Sequence, residues 1–401
     1  MEKANNQIRV YFDWAASAPW LNSQFCAPFG NPSSAHSEGR AAKDALEDAR
    51  SRCAAVLSVP PQTLYFTSGG TESNSIALFS NITKIGQGRT LSSMAEHASI
   101  REGMETLEKC GKPTGKIAVD ANGAVTAETL EKALLKYPDT RFVSVMSVNN
   151  ETGSITDISA LKDIIRNKEL VKAPIHFHCD LVQAVGKIPV DITSLDIDSA
   201  SISAHKICGP RGIGLLYSRQ PMNVFYSGGG QEKGVRGGTE NVHGAVALAD
   251  CLELYAIKGD LIKISRGDAE TQSFNAEEER FLKAEKRMDK LIAALSKIDR
   301  CSFIPAGRSD TDSALFSPYI LQVAFKGIPG EVMARALDDL GFAVSTGSAC
   351  SSSSPERPVL LAMGVEERLR IEGIRISQGY TTTDEDIDLL AGAILEVLKF
   401  L

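Results

Sequence analysis

The chain has 401 residues, 43% hydrophobic and 23% charged, which excludes a fully disordered or collagen-like protein. Fifty acidic against 43 basic residues give a formal net charge of −7, so no broad basic surface for nucleic acid is expected. The opening MEKANNQIRVYFDW lacks the apolar stretch of a secretory leader, and no apolar run approaches the ~18 residues of a membrane span, so the expectation is a cytoplasmic protein without a membrane partner.

A helical pattern covers 34–57. Short β-branched or apolar runs follow at 63–68, 141–148, 174–180, 199–203 and 214–218, with helical patterns between them, as at 158–167. Strand and helix in alternation predict an α/β fold whose mostly parallel sheet is covered on both faces. Functional groups in such sheets gather where strands end. After about Leu254 the chain becomes polar and charge-dense, which predicts a domain boundary near residue 255. An amphipathic helix is expected next, with Phe281, Ala284, Met288, Leu291 and Leu295 on one stripe. The last helix is expected to start at Thr382, whose spacing to Glu385 is that of a capping box. Its apolar face would hold Leu389, Leu390, Ala393, Ile394 and Leu398.

Eight cysteines occur, none as a C-x-x-C pair, and they are too dilute for a disulfide scaffold. They read as reduced thiols, mostly buried. His36, His176, His178 and His243 have no metal-like spacing, and no metal site is expected.

Three motifs carry chemistry. In Phe66-Thr67-Ser68-Gly69-Gly70-Thr71-Glu72-Ser73 a strand runs through two glycines into a helix. Glycines let the backbone approach an anion, and the helix N-terminus offers free N–H groups, so Gly70 and Thr71 are anion-binding candidates. No Lys-Ser/Thr pair follows, so this is not a Walker A loop. In Ser203-Ala204-His205-Lys206-Ile207-Cys208-Gly209-Pro210-Arg211-Gly212 a lysine follows a strand directly. Lysine is rarely buried as an ammonium, and imine formation removes that cost. In His178-Cys179-Asp180-Leu181-Val182-Gln183-Ala184 an acid ends an apolar strand, where a protonated pyridine nitrogen would be a fitting partner. Anion cradle, imine-forming lysine and carboxylate together are what pyridoxal phosphate requires.

With those residues in view, the chain resembles the cysteine desulfurases of the NifS/IscS type, in the class V aminotransferase family of fold type I pyridoxal-phosphate enzymes. Matching segments cover nearly the whole chain. They include YFDWAASAP (11–19), YFTSGGTESNSIAL (65–78), VNNETG (148–153), CDLVQAVGKIPVD (179–191), GGGQEKGVRGGTEN (228–241) and STGSACSSSS (345–354). The resemblance implies a large cofactor-binding domain over 21–255 with a mostly parallel seven-stranded sheet between helices. It implies a smaller α+β domain over 256–401 that carries a cysteine loop, with 1–20 joining that smaller domain.

The resemblance also implies roles. Lys206 would bear the cofactor imine and act as base on the substrate Cα. Asp180 would keep the pyridine nitrogen protonated. Gln183 would hydrogen-bond the phenolic oxygen, as would Asn150, which would also face the substrate. His97 would stack on the ring and move protons. Gly70, Thr71, Ser203 and His205 would hold the phosphate, completed by Thr239 from the other subunit of a homodimer. Arg375 would grip the carboxylate of L-cysteine. Cys350 would receive the sulfur as a persulfide, with alanine released, and pass it to an acceptor such as an iron–sulfur scaffold or thiolation protein. A selenocysteine lyase or another class V enzyme is the nearest alternative, and a silent docking protein in iron–sulfur assembly is the non-enzyme one. Trp14-Ala15-Ala16-Ser17-Ala18-Pro19 departs from the usual Asn-Ala-Ala-Thr-Thr-Pro, the stretch 19–31 is short, and Gly70 stands where alanine is more common.

Overall fold

The computed structural model describes residues 9–16, 27–80, 88–222, 224, 228–257, 276–309, 314–347 and 357–401. Cys26, Cys350 and most of 19–31 therefore lie outside the described residues.

Twelve strands are described: β1 Val10–Tyr11, β2 Leu64–Thr67, β3 Arg89–Ser93, β4 Thr114–Ile117, β5 Thr140–Met146, β6 His176–Asp180, β7 Ser199–Ser203, β8 Gly214–Ser218, β9 Cys301–Ile304, β10 Ile320–Phe325, β11 Phe342–Ala343 and β12 Gly373–Ser377. Seven of them form the large sheet, in the order β2-β8-β7-β6-β5-β3-β4. The expected mostly parallel sheet is present; β8 alone runs against its neighbours β2 and β7. The central strands β6 and β7, HFHCD and SASIS, are buried on both faces. Both alternate polar and apolar residues, and the polar face is satisfied within the core, where His176 Nε2 and His178 Nδ1 lie 2.7 and 2.8 Å from Ser199 Oγ.

Helix Ser37–Leu57 begins later than position 34, because the His36 side chain caps it by accepting from Gly39 N. It packs against helix Val242–Tyr255, and the large core includes Leu46, Leu57, Leu248 and Leu252. Burying each such leucine contributes roughly 1.5–3 kcal/mol.

A second, three-stranded antiparallel sheet, β12-β10-β9, has its own core of Phe12, Leu321, Val323, Phe325, Ile374 and Ile376. Helix Ala276–Leu295 buries the expected stripe, but divides it. Phe281 and Ala284 join the large core, whereas Met288, Leu291 and Leu295 join the second. Residues 10–15 also join the two, with Phe12 in the second core and Ala15 in the large one. Strand β1 pairs with β11, and Ala15 N then donates to Ser377 Oγ at 2.9 Å. Gly379 is required where the Trp14 ring crosses, since a Cβ there would lie 1.9 Å from the ring.

Two details of the last helix differ from the sequence reading. It is Asp384–Phe400, with Thr383 as its cap in a reciprocal box with Asp386. Thr382 instead accepts from Gly379 N through its hydroxyl, at 3.0 Å. Both threonines have the spacing, and the turn before the helix decides between them. Leu389 is exposed; Ile387, Leu390, Ala393, Ile394 and Val397 are buried. Ile387, Leu390, Ile394 and Val397 recur at helical spacing to form the buried stripe, and Leu389, ~100° round from Leu390, falls outside it.

Of the described cysteines, Cys53, Cys179, Cys208 and Cys251 are buried, Cys301 is half-buried and Cys110 exposed, all as free thiols. Among the described residues no helix is long and apolar enough to cross a membrane.

Candidate active site

Strands β2, β3, β5, β6 and β7 all run in one direction. The segments that follow them therefore leave the same sheet edge, which is where side chains from distant parts of the sequence can meet. There they surround a cavity of about 440 Å³, which Arg375 from β12 also lines.

One end of the cavity is built for an anion. Gly69 has φ of +151°, a backbone conformation that a side chain rarely tolerates. A Cβ on Gly70 would lie 2.6 Å from Val182 Cγ2, so glycine, not alanine, fits between helix Gly70–Phe79 and the segment after β6. The free N–H groups of that helix end open beside Thr71, Ser203 and His205. Ser203 Oγ lies 2.8 Å from His205 Nδ1. Burial, with Lys206 and Lys187 nearby, holds His205 down to about 3, so its ring is neutral.

At the other end, Asp180 is buried, with Oδ1 accepting from Val182 N at 3.0 Å and Oδ2 from Asn74 Nδ2 at 2.8 Å. Asn74 donates also to Ser99 Oγ at 2.9 Å, so its carbonyl faces His178 Nε2, 2.9 Å away. His178 is held neutral by burial, at about 3, and its Nδ1 lies 2.8 Å from Ser199 Oγ. A chain of buried hydrogen bonds thus fixes the carboxylate from behind. His97 caps helix Ala98–Lys109, its Nδ1 accepting from Ser99 N at 3.1 Å. Burial pulls its pKa below the ordinary value, Asp180 draws it back up, and Lys206 lowers it further.

Between these ends Lys206 Nζ donates to Ala15 O at 2.5 Å and Ala16 O at 2.8 Å. Gln183 Nε2 donates to Ala15 O at 2.9 Å. Arg375 donates to Asn150 O and to Asp13 Oδ1, each at 2.8 Å. Its Nε and the Asn150 Oδ1 are buried without a hydrogen-bond partner among the described residues. Buried polar atoms left in that state cost about 1–3 kcal/mol each, so a polar occupant is called for. An anion cradle, an amine, a buried carboxylate and unsatisfied polar atoms in one cavity fit pyridoxal phosphate bearing an amino-acid substrate.

The sequence analysis gave no site role to Asn74, Ser99, His178 or Glu96. Asn74 was findable: it stands four residues after Gly70, on the same helix face. Thr239 is exposed and does not line this chain's cavity. Cys350 lies outside the described residues.

Glu96 adjoins the site. Its Oε1 accepts from Ser93 Oγ at 2.6 Å and Met146 N at 2.8 Å, while Oε2 has no partner among the described residues. Burial pushes its pKa up to about 8, with the charge of Asp180 adding to the rise. In the unfolded chain it ionises near its ordinary 4.5. Between those values the unfolded state releases a proton that the folded state keeps, so folding stability falls as pH rises. Glu96→Gln removes that loss. Urea melts at several pH values should therefore show the variant gaining on the native protein from pH 4.5 to 8. A constant difference across that window would show that Glu96 does not titrate there.

The aminotransferase class-V family model matches residues 10–390. The chain is 35% identical over 405 residues to the cysteine desulfurase IscS of Dictyoglomus turgidum, covering 97% of this chain and 94% of that protein. It is 34% identical over 401 residues to the cysteine desulfurase IscS of Photorhabdus laumondii, covering 95% and 91%. A solved NifS-like protein superposes with a TM-score of 0.83 at 33% identity, over 98% of this chain and 100% of that one. Fold and cavity thus have the architecture of a class V pyridoxal-phosphate enzyme. The chain belongs to the aminotransferase class-V family and, within it, to the cysteine desulfurases of the NifS/IscS type.

Proposed function

We propose that the protein binds pyridoxal phosphate in this cavity and removes sulfur from L-cysteine, giving L-alanine and a persulfide on Cys350. The observation that carries the reading is the convergence of Lys206, Asp180 and the Gly69–Gly70–Thr71 cradle on one cavity. Bound there, the cofactor supplies a protonated heteroaromatic ring that stabilises negative charge developing at the substrate Cα.

The chain's own residues do the rest. Lys206 is the amine that anchors the cofactor and then moves the Cα proton. Asp180 keeps the pyridine nitrogen protonated through a charge-assisted hydrogen bond. The helix N-terminus at Gly70, with Thr71, Ser203 and His205, holds the phosphate. His97 covers the ring face. Gln183 and Asn150 address the phenolic oxygen. Arg375 takes the substrate carboxylate with its planar fork. At sulfur transfer the Cys350 thiolate attacks the substrate sulfur: one S–S bond forms, one C–S bond breaks, and the carbon skeleton takes up a proton and leaves as alanine.

The working unit in this reading is a homodimer in which Thr239 of each chain completes the other's phosphate site. The division is a large cofactor domain over 21–255 and a smaller domain over 256–401, with 1–20 joined to the latter. The persulfide passes to an iron–sulfur scaffold or a thiolation protein in the cytoplasm.

The test is mass spectrometry of the protein loaded with pyridoxal phosphate and treated with L-cysteine. The peptide holding Cys350 should gain one sulfur, removable by a thiol reductant, and Cys350→Ala should release alanine only slowly. Full alanine production by Cys350→Ala would sink the persulfide role.

A further inference from the structure

Lys187 is a buried amine that the proposed chemistry does not use. Its residue is only 4% exposed, and it does not line the cavity. Among the described residues its side chain has one hydrogen-bond partner, Gln183 Oε1. The turn after β6 brings the two together: Val185 N bonds Leu181 O at 3.0 Å, and Ile188 N bonds Ala184 O at 2.9 Å. Gly186, at φ +79°, lets this turn close, and Tyr380 donates its hydroxyl to Gly186 O.

We propose that Lys187 is a positioning residue that orients the Gln183 amide so that its N–H, not its carbonyl, is presented to the cavity. The inference rests on the cofactor reading above and adds a residue behind it. Two constraints act on the amide from opposite sides. Ala15 O can only accept, so it selects the Nε2 edge, at 2.9 Å. The Lys187 amine occupies the Oε1 edge as a hydrogen-bond donor. A flipped amide would set carbonyl against carbonyl and N–H against amine. Nε2 carries two hydrogens; one goes to Ala15 O, and the other meets no acceptor among the described residues. Gln183 therefore approaches a ligand as a donor, which suits the phenolic oxygen of pyridoxal phosphate, an acceptor when ionised.

Stability does not explain a lysine here. Lys206 and Arg375 face it with like charge, and Cys208 is the nearby titratable thiol. Burial and those two bases drive its pKa well below the ordinary value. A methionine of similar length would cost less to bury. What the amine adds is a fixed direction for one amide.

The sign of the effect follows. A donor on the phenolic oxygen competes with the imine proton for the same electron density and lowers the pH at which that proton leaves. Lys187→Met frees the amide to turn and removes a nearby base. The pH midpoint of the bound cofactor's absorbance change should rise by about one unit, a tenfold change in proton affinity. Lys187→Arg, which retains N–H donors, should stay close to the native midpoint. In a Gln183→Ala background the rise caused by Lys187→Met should largely vanish, whereas a plain charge effect would persist. An unchanged midpoint in Lys187→Met, or an undiminished rise in the Gln183→Ala background, overturns the proposal. Should Lys187→Met not fold, neutron diffraction of the native holoprotein reads the amide hydrogens directly. Nuclear density that turns the Gln183 N–H groups toward Lys187 overturns it equally. A native protein that takes up no pyridoxal phosphate overturns the cofactor reading itself, a result distinct from a coloured protein whose midpoint ignores Lys187.

Discussion

Lys206→Ala should abolish turnover of L-cysteine while leaving the protein folded. Loss of a positioned general base costs about 10²–10⁴-fold by itself, and loss of the covalent anchor adds to that. The residue is half-buried at the cavity, and the bonds it gives up include those to the backbone oxygens of Ala15 and Ala16. Global unfolding should therefore change little. The cofactor should still enter, since the helix end at Gly70 and the Asp180 carboxylate remain, but its absorbance should be that of the free aldehyde. Adding a small primary amine should restore part of the turnover, because the amine, not the lysine stem, does the chemistry. Native rates in Lys206→Ala, measured as alanine released, would remove this lysine from the reaction.

The second large effect is expected about stability. Arg50 and Glu232 form a buried, two-pronged ion pair, with distances of 2.7 and 2.8 Å, between helix Ser37–Leu57 and the glycine-rich loop 228–241. Arg50 also donates to Leu64 O at 2.9 Å, and Glu232 accepts from Phe66 N at 2.8 Å. Neither side chain is more than 3% exposed. Arg50→Met should cost about 3–5 kcal/mol, because it strands a buried carboxylate with one remaining donor. The double change Arg50→Met with Glu232→Leu should recover much of that loss, since no lone charge stays behind. Chemical denaturation of both single variants and the double variant checks this. Glu232 and Lys233 have φ of 45° and 56°, so the loop holds a backbone shape it would leave if released. Arg236, in the same loop, reaches Glu72 on the cradle helix at 3.5 Å. Under the dimer reading, loosening this loop displaces Thr239, and the single variants should retain pyridoxal phosphate less tightly than the native protein. A small stability loss in Arg50→Met would mean that water satisfies Glu232.

Much of the architecture was legible in the chain. Strands β7 and β8 stand at the residues their apolar runs marked, and the Phe281 stripe is buried throughout. Boundaries set by local competition were less legible. Thr382 and Thr383 offer equivalent caps to a reader of spacing, and the contact with Gly379 N separates them. Leu389 reads as core because leucine is apolar, but on the helix it faces out. Lys187 reads as an ordinary residue of a loop, since nothing local announces that its amine is buried against an amide four residues earlier.

By itself the sequence determined which chemical groups this protein owns and roughly where each stands on a strand, helix or turn. Period, glycine placement and residue type are local properties, and local sterics and burial preference act on them directly. Tertiary structure alone decided that five strand ends and Arg375 share one cavity, because contact between residues hundreds of positions apart depends on strand order, which no local pattern encodes. It alone decided the environments too: neutral rings at His178 and His205 and a protonated Glu96 follow from burial among particular neighbours, and desolvation is a property of the packed whole.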